Sequence, residues 1–152
     1  MAVKGECRPG RRATVRLVVG ESDTAVAMSS GDVPVLASPR VLALAEQASL
    51  TALGDCLPEE QTSVGAWAEL EHVLASQVGD TVDAEAVLLG VHGRRLEFSI
   101  TVRSGENEVA HVRHKRTIVE RTRFDDAPRR ETLVAGRGDE GRSGTGTSPE
   151  TS

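Results

Sequence analysis

One helical run set among short alternating strands is the feature that most constrains this chain. Ser38 and Pro39 precede an Ala- and Leu-rich stretch, Val41 to Leu53, which Gly54 and Pro58 bring to a stop. A hydroxyl at the start, a proline in the first turn and a glycine past the end define a helix with set limits, and Ser38 is the expected N-cap. Around it the apolar period is two. Ala13 to Gly20 reads as a strand before the helix, and Val64–Ala75, Thr81–Val91, Arg95–Arg103 and Val109–Val119 as four strands after it. The fourth is the clearest, with Leu96, Phe98, Ile100 and Val102 alternating with Arg95, Glu97, Ser99 and Thr101. Turns as short as His92-Gly93 and Ser104-Gly105 join antiparallel neighbours. The expected fold class is therefore α+β, a five-stranded antiparallel sheet with the helix packed on one face.

Charge and composition narrow the function classes. The 152 residues carry 18 Lys+Arg against 23 Asp+Glu, a net charge of −5, and the aromatics are Trp67, Phe98 and Phe124. Neither a phosphate-neutralising excess nor a stacking platform is present, so no nucleic-acid partner is expected. All the cations but Lys4 and Lys115 are arginine, a skew that reads as the coding bias of a GC-rich bacterial genome. Cys7 and Cys56 have no zinc-ligand spacing, and free cytosolic thiols are expected of them, with a disulfide as the alternative. The N-terminus lacks the apolar stretch of a signal peptide, and no run approaches the ~20 apolar residues of a membrane span. A soluble, cytoplasmic protein with no membrane partner is the expectation.

Residues 136–152 contain no large apolar side chain, so a disordered Gly/Ser/Thr-rich tail is expected there. The folded domain is expected over residues 1–123, with 124–135 an ambiguous extension.

Titratable groups interrupt the apolar layer in three places. Glu46 has Leu42 and Leu50 one helical turn to either side. His72 shares a strand face with Val64, Ala66, Ala68, Leu70 and Leu74, while Trp67, Glu69 and Glu71 point the other way. In the last strand His114 and Arg116 share a face with Ala110, Val112 and Ile118, opposite His111, Arg113 and Lys115. Each has an ordinary explanation: a boundary Glu reaching water, a hydrogen-bonded core His, a charged edge strand. Together they are harder to set aside, because buried charges are costly unless they pair or line a pocket.

Four segments carry a family resemblance. Val-Leu-Ala-Ser-Pro-Arg-Val-Leu-Ala-Leu-Ala-Glu (35–46), Ser-Val-Gly-Ala-Trp-Ala-Glu-Leu-Glu-His (63–72), Gly-Arg-Arg-Leu (93–96) and His-Lys-Arg (114–116) resemble, in order and spacing, the fluoroacetyl-CoA thioesterase-like family of hotdog-fold proteins. The resemblance runs from about Gly10 to Arg123. It implies a sheet wrapped around the helix and a catalytic set of a hydroxyl before the helix, a Glu eight residues on and a His on the next strand. These fall on Ser38, Glu46 and His72, with Ser where the family has Thr. Gly65 and Arg116 match residues associated with the site, and with His114 they are expected to contact substrate. Two departures stand out. Ser29 and Asp32 occupy the loop where the fluoroacetyl-specific enzyme has aromatic lid residues, and Ala110 and Val112 stand where the family tends to glycine.

The function implied is hydrolysis of a small acyl-CoA or acyl-carrier-protein thioester by a homodimer, with no metal or cofactor. Ser38, near the positive end of the helix, is nucleophile or positioner. Glu46 activates water or attacks, and His72 orients Glu46 or carries protons, the two acting as a unit. The alternatives are a non-catalytic hotdog protein binding an acyl or other apolar small molecule, and a hotdog dehydratase.

Overall fold

The computed structural model describes residues 6–125 together with 133 and 134. Strand β1 (Arg12–Val18) leads through a 3₁₀ turn (Glu21–Asp23) and a long loop to helix α1 (Ser38–Leu53). Strands β2 (Gln61–His72), β3 (Thr81–His92), β4 (Arg95–Ser104) and β5 (Asn107–Glu120) follow, and then a single turn of helix, α2 (Thr122–Asp125). The sheet is antiparallel in the order β1-β3-β4-β5-β2. The three strands joined by short turns form its centre. The helix, inserted between β1 and β2, sends those two strands to opposite edges.

The inner face is apolar because the period of two in the sequence is kept. Val82, Ala84, Ala86 and Leu88 of β3, Leu96, Phe98, Ile100 and Val102 of β4, and Ala110 and Val112 of β5 are all fully buried. They meet Val41, Leu44, Ala45, Ala48 and Ala52 of α1. Alanines on both sides of this contact let the helix sit close to the strands. The α+β class and the hotdog arrangement expected from the sequence are the observed fold.

Three local expectations change. The N-cap is Ala37, and Ser38 is the first residue of α1 with its hydroxyl turned away from the helix end. Strand β2 begins three residues earlier than expected and ends at His72, so Val73 and Leu74 lie beyond it, exposed. The third change alters which side chains face the helix. Gly65 pairs with Arg116 and Trp67 with Lys115, so Ala66 is an extra residue, a β-bulge. Ala68, Leu70 and His72 face inwards as expected, but below the bulge Ser63 and Gly65 take the inner face in place of Val64. One inserted residue reverses parity because side chains alternate.

The cysteines differ too. Cys7 and Cys56 form a disulfide that ties the segment before β1 to the loop after α1, in place of the free thiols expected. Packing also continues past Arg123. The Thr117 hydroxyl donates to the Leu133 carbonyl at 2.6 Å, and Leu133 and Val134 lie beside Trp67 and Lys115 on the outer sheet face. The tail expected over 136–152 lies outside the described residues.

The bridge spans 49 residues of sequence, and closing a loop of that size restricts the unfolded chain. Replacing both cysteines by serine is expected to cost about 2–4 kcal/mol in urea unfolding. The native, unreduced protein should give no reaction with a thiol reagent; two titratable thiols would show that the bridge does not form.

Candidate functional site

The candidate residues fall into two clusters along α1. At its start, Ser38 Oγ lies 2.9 Å from His72 Nδ1. The hydroxyl is free for this bond because Ala37, not Ser38, caps the helix. The other ring nitrogen, His72 Nε2, is buried and meets no hydrogen-bond partner among the described residues. Burial lowers the pKa of His72 below the usual imidazole value, although the Leu74 backbone near the ring works the other way. A neutral ring accepts the Ser38 proton at Nδ1 and carries its own at Nε2.

A cavity of about 340 Å³ opens beside this pair. Its wall is the loop between β1 and α1, with Ala25, Asp32 and Val33 among its lining residues, faced by Val73 and Leu74. The loop is pinned where it enters the helix. Ala37 N–H donates to the Asp23 carbonyl, and the Asp23 carboxylate accepts from Arg40 Nε and Gly20 N–H at 2.8 Å each. Burial opposes the charge on Asp23, but these donors outweigh it and hold the carboxyl below the usual carboxylate range. The first turn of the helix offers few donors to a ligand. Arg40 and Val41 N–H both bond to the Ala37 carbonyl, and Pro39 has no N–H.

The second cluster lies eight residues along, about 12 Å at the α-helical rise. Glu46 Oε2 accepts from Arg116 Nη1 at 3.1 Å, with His114 Nε2 at 3.9 Å. Gly65 sits against this carboxylate: a Cβ there would come within 2.8 Å of Glu46 Oε2, so this position on the bulged strand has room only for glycine while Glu46 is held. Arg116 and His114 are buried, and Glu46 is 38% exposed. Arg116 is also anchored to Ser63, and His114 to the Trp67 carbonyl.

Within one chain, then, Ser38 joins His72, and Glu46 joins Gly65, His114 and Arg116. Glu46 and His72, expected to act as a unit, have separate partners. Sequence reasoning missed Ser63 because it placed Val64 on the inner face. The available signal was Gly65, since a glycine inside a strand often marks a bulge. No group of His, Cys, Asp or Glu suited to a metal ion exists among the described residues, and no helix there is long and apolar enough to cross a membrane.

Comparison with known proteins identifies the family. Residues 19–122 match the family model described as FlK, fluoroacetyl-CoA-specific thioesterase. A fluoroacetyl-CoA thioesterase of Streptantibioticus cattleyicolor is 29% identical over 98 residues, covering 64% of this chain and 70% of the relative. The structure of the fluoroacetyl-CoA thioesterase FlK superposes with a TM-score of 0.74 at 26% identity, covering 80% of this chain and 94% of that one. A hot-dog-like protein from Thermanaerovibrio acidaminovorans shares the fold, with a TM-score of 0.71 at 24% identity over 77% of this chain and 87% of its own.

Two imidazoles, His114 buried and His72 half-buried, give the stability a pH dependence. Burial lowers the pKa of both His72 and His114, so the folded state resists protons that the unfolded chain takes up near pH ~6.5. Stability is therefore fully present above that value and falls as the pH drops through it. Urea midpoints are expected to decrease from pH 7.5 to 5.5, and His114→Gln should flatten the slope. Midpoints that stay level across this window would mean that neither ring is buried neutral.

Proposed function

The chain belongs to the fluoroacetyl-CoA-specific thioesterase family, and from that premise we propose that it hydrolyses small acyl-CoA thioesters at a site assembled from two copies of the chain. The observation that carries the proposal is the division of the site. His72 Nε2 is buried without a partner, while the carboxylate with which it was expected to act stands about 12 Å further along the helix.

A two-fold axis would join the halves. Of the two sheet edges, β1 is short and carries Arg12 and Arg16, whereas β2 is 12 residues long. A long open edge is a template for pairing with another chain. Antiparallel pairing of two β2 strands about the Ala68 region sets the His72 end of each against the Gly65 end of the other, and brings Glu46 of one copy towards Ser38 and His72 of its mate. The product is a homodimer of about twice 16.1 kDa.

In the proposed reaction the thioester carbonyl lies between the two clusters. Glu46, held by Arg116, takes a proton from water as the oxygen attacks; the C–S bond breaks, that proton passes to the leaving sulfur, and thiol and free acid are released. If Glu46 attacks the carbonyl itself, breaking the C–S bond gives a mixed anhydride and a thiolate, and water then cleaves the anhydride, supplying the acid's oxygen and the proton that the thiolate takes up. His72 Nε2–H supplies the donor facing the reacting carbonyl, and Ser38 either attacks or holds the water. Gly65 leaves room beside the carboxylate. Among the described residues neither Phe nor Trp lines that cavity, which supports an ordinary small acyl group over a fluorinated one. The bacterial cytoplasm expected from the sequence now has the Cys7–Cys56 bridge against it, because such bridges are kept reduced there.

Thiol release from a panel of acyl-CoAs tests the activity. Glu46→Gln and His72→Ala should each lower turnover by roughly 10²–10⁴-fold. Ser38→Ala should match them if its hydroxyl attacks, and cost about tenfold if it only positions water. The shared site has its own test. Unfolding the two inactive variants Glu46→Gln and His72→Ala together and refolding them as a mixture should restore about a quarter of wild-type activity, since half the dimers then contain one intact site. No recovery would place the whole site within one chain.

A further inference from the structure

Arg116 is 5% exposed, yet each of its nitrogens has a partner. Nε donates to Ser63 Oγ at 2.8 Å and Nη2 to the Ser63 carbonyl at 3.0 Å. Two bonds to one residue fix the plane of the guanidinium, and that plane directs Nη1 at Glu46 Oε2. Nη1 also lies 3.1 Å from His114 Nε2. A guanidinium can only donate, so His114 Nε2 must be the unprotonated nitrogen, and its Nδ1–H donates to the Trp67 carbonyl at 2.9 Å. Burial and the Arg116 charge favour this neutral ring, against the Trp67 carbonyl and the Glu46 carboxylate, which favour protonation.

Both ring nitrogens of His114 are thus occupied within the protein, and the residue is 2% exposed. It has no valence left for a substrate, whose binding was the role expected of it. Trp67 is available as an acceptor because it follows the extra residue of the bulge, while Ser63 and Gly65 face inwards because they precede it. The bulge thereby contributes to both ends of one frame.

We propose that Ser63 and His114 are positioning residues that act on the thioester only through Arg116 and Glu46; this rests on the function proposed above. Ser63 sets the plane of the guanidinium. His114 blocks the other side of Nη1 without adding charge. Between them Glu46 is aimed at one place, and its second oxygen is left for the reaction.

Ser63→Ala leaves Arg116 Nε–H buried without an acceptor, so kcat should fall about tenfold with KM within about twofold, and Ser63→Thr should restore most of the loss. His114→Gln, whose amide can accept from Nη1 and donate to Trp67, should retain more kcat than His114→Phe. Nitrogen-15 NMR of the wild-type ring should show Nδ1 protonated and Nε2 bare at pH 7.5, the less common tautomer in water. The Arg116 Nε–H signal should exchange faster with solvent in Ser63→Ala. A rise in KM at constant kcat for the His114 variants would make His114 a substrate contact and overturn the proposal, as would a proton on Nε2 or an unaffected Ser63→Ala. If the wild-type protein releases thiol from no thioester, the function fails and the catalytic part of this inference with it. The two NMR measurements then still decide whether the frame exists.

Discussion

A guanidinium can be buried against an apolar sheet only if its nitrogens find partners, and one end of the inner face supplies a partner to each of the three nitrogens of Arg116. The requirement reaches well beyond the residue itself. It needs a hydroxyl and a carbonyl at Ser63, a bare imidazole nitrogen at His114 and a carboxylate from the helix. Supplying those from an alternating strand would fail by one residue, because Ser63 and Ala68 lie five apart and could not both face inwards. The bulge at Ala66 removes the conflict, and the missing side chain at Gly65 leaves space for the carboxylate. Arg116, Ser63, the bulge, Gly65 and Glu46 are one solution to one desolvation problem.

The two ends of α1 differ in how far their polar groups are satisfied. Around Glu46 the polar groups satisfy one another almost completely, and the cluster is rigid and charged. Around Ser38 they do not. One ring nitrogen of His72 is left over, the hydroxyl is exposed, and a cavity walled by a pinned loop opens alongside. A satisfied cluster is a device for holding a group in place, while an unsatisfied one is where a further molecule has something to bind. Thioester hydrolysis needs both, and the proposed two-fold brings one of each to the same carbonyl.

Much of this was legible in the residues. The helix limits followed from Pro39 and Gly54, and the central strands from the alternation between Arg95 and Arg103, because local propensity and apolar period agree there. Strand parity and helical spacing bring out Glu46, His72, His114 and Arg116, and the family resemblance adds Ser38 and Gly65. What they do to one another was less visible. For His114, strand parity shows only which face the side chain is on, and whether its nitrogens are already taken depends on a residue 47 positions away. The cysteines were misjudged for a similar reason: a sequence separation of 49 says nothing about whether two thiols meet.

The sequence by itself determined the class of fold, the one helix and the set of chemically unusual side chains, since these depend on neighbours three, four or two residues apart. Only the tertiary structure decided the parity of β2 on either side of Ala66, the Cys7–Cys56 bridge and the division of the polar residues into two clusters. Those outcomes turn on pairing between strands and on the place where the helix crosses them, which are contacts between parts of the chain that carry no local record of each other.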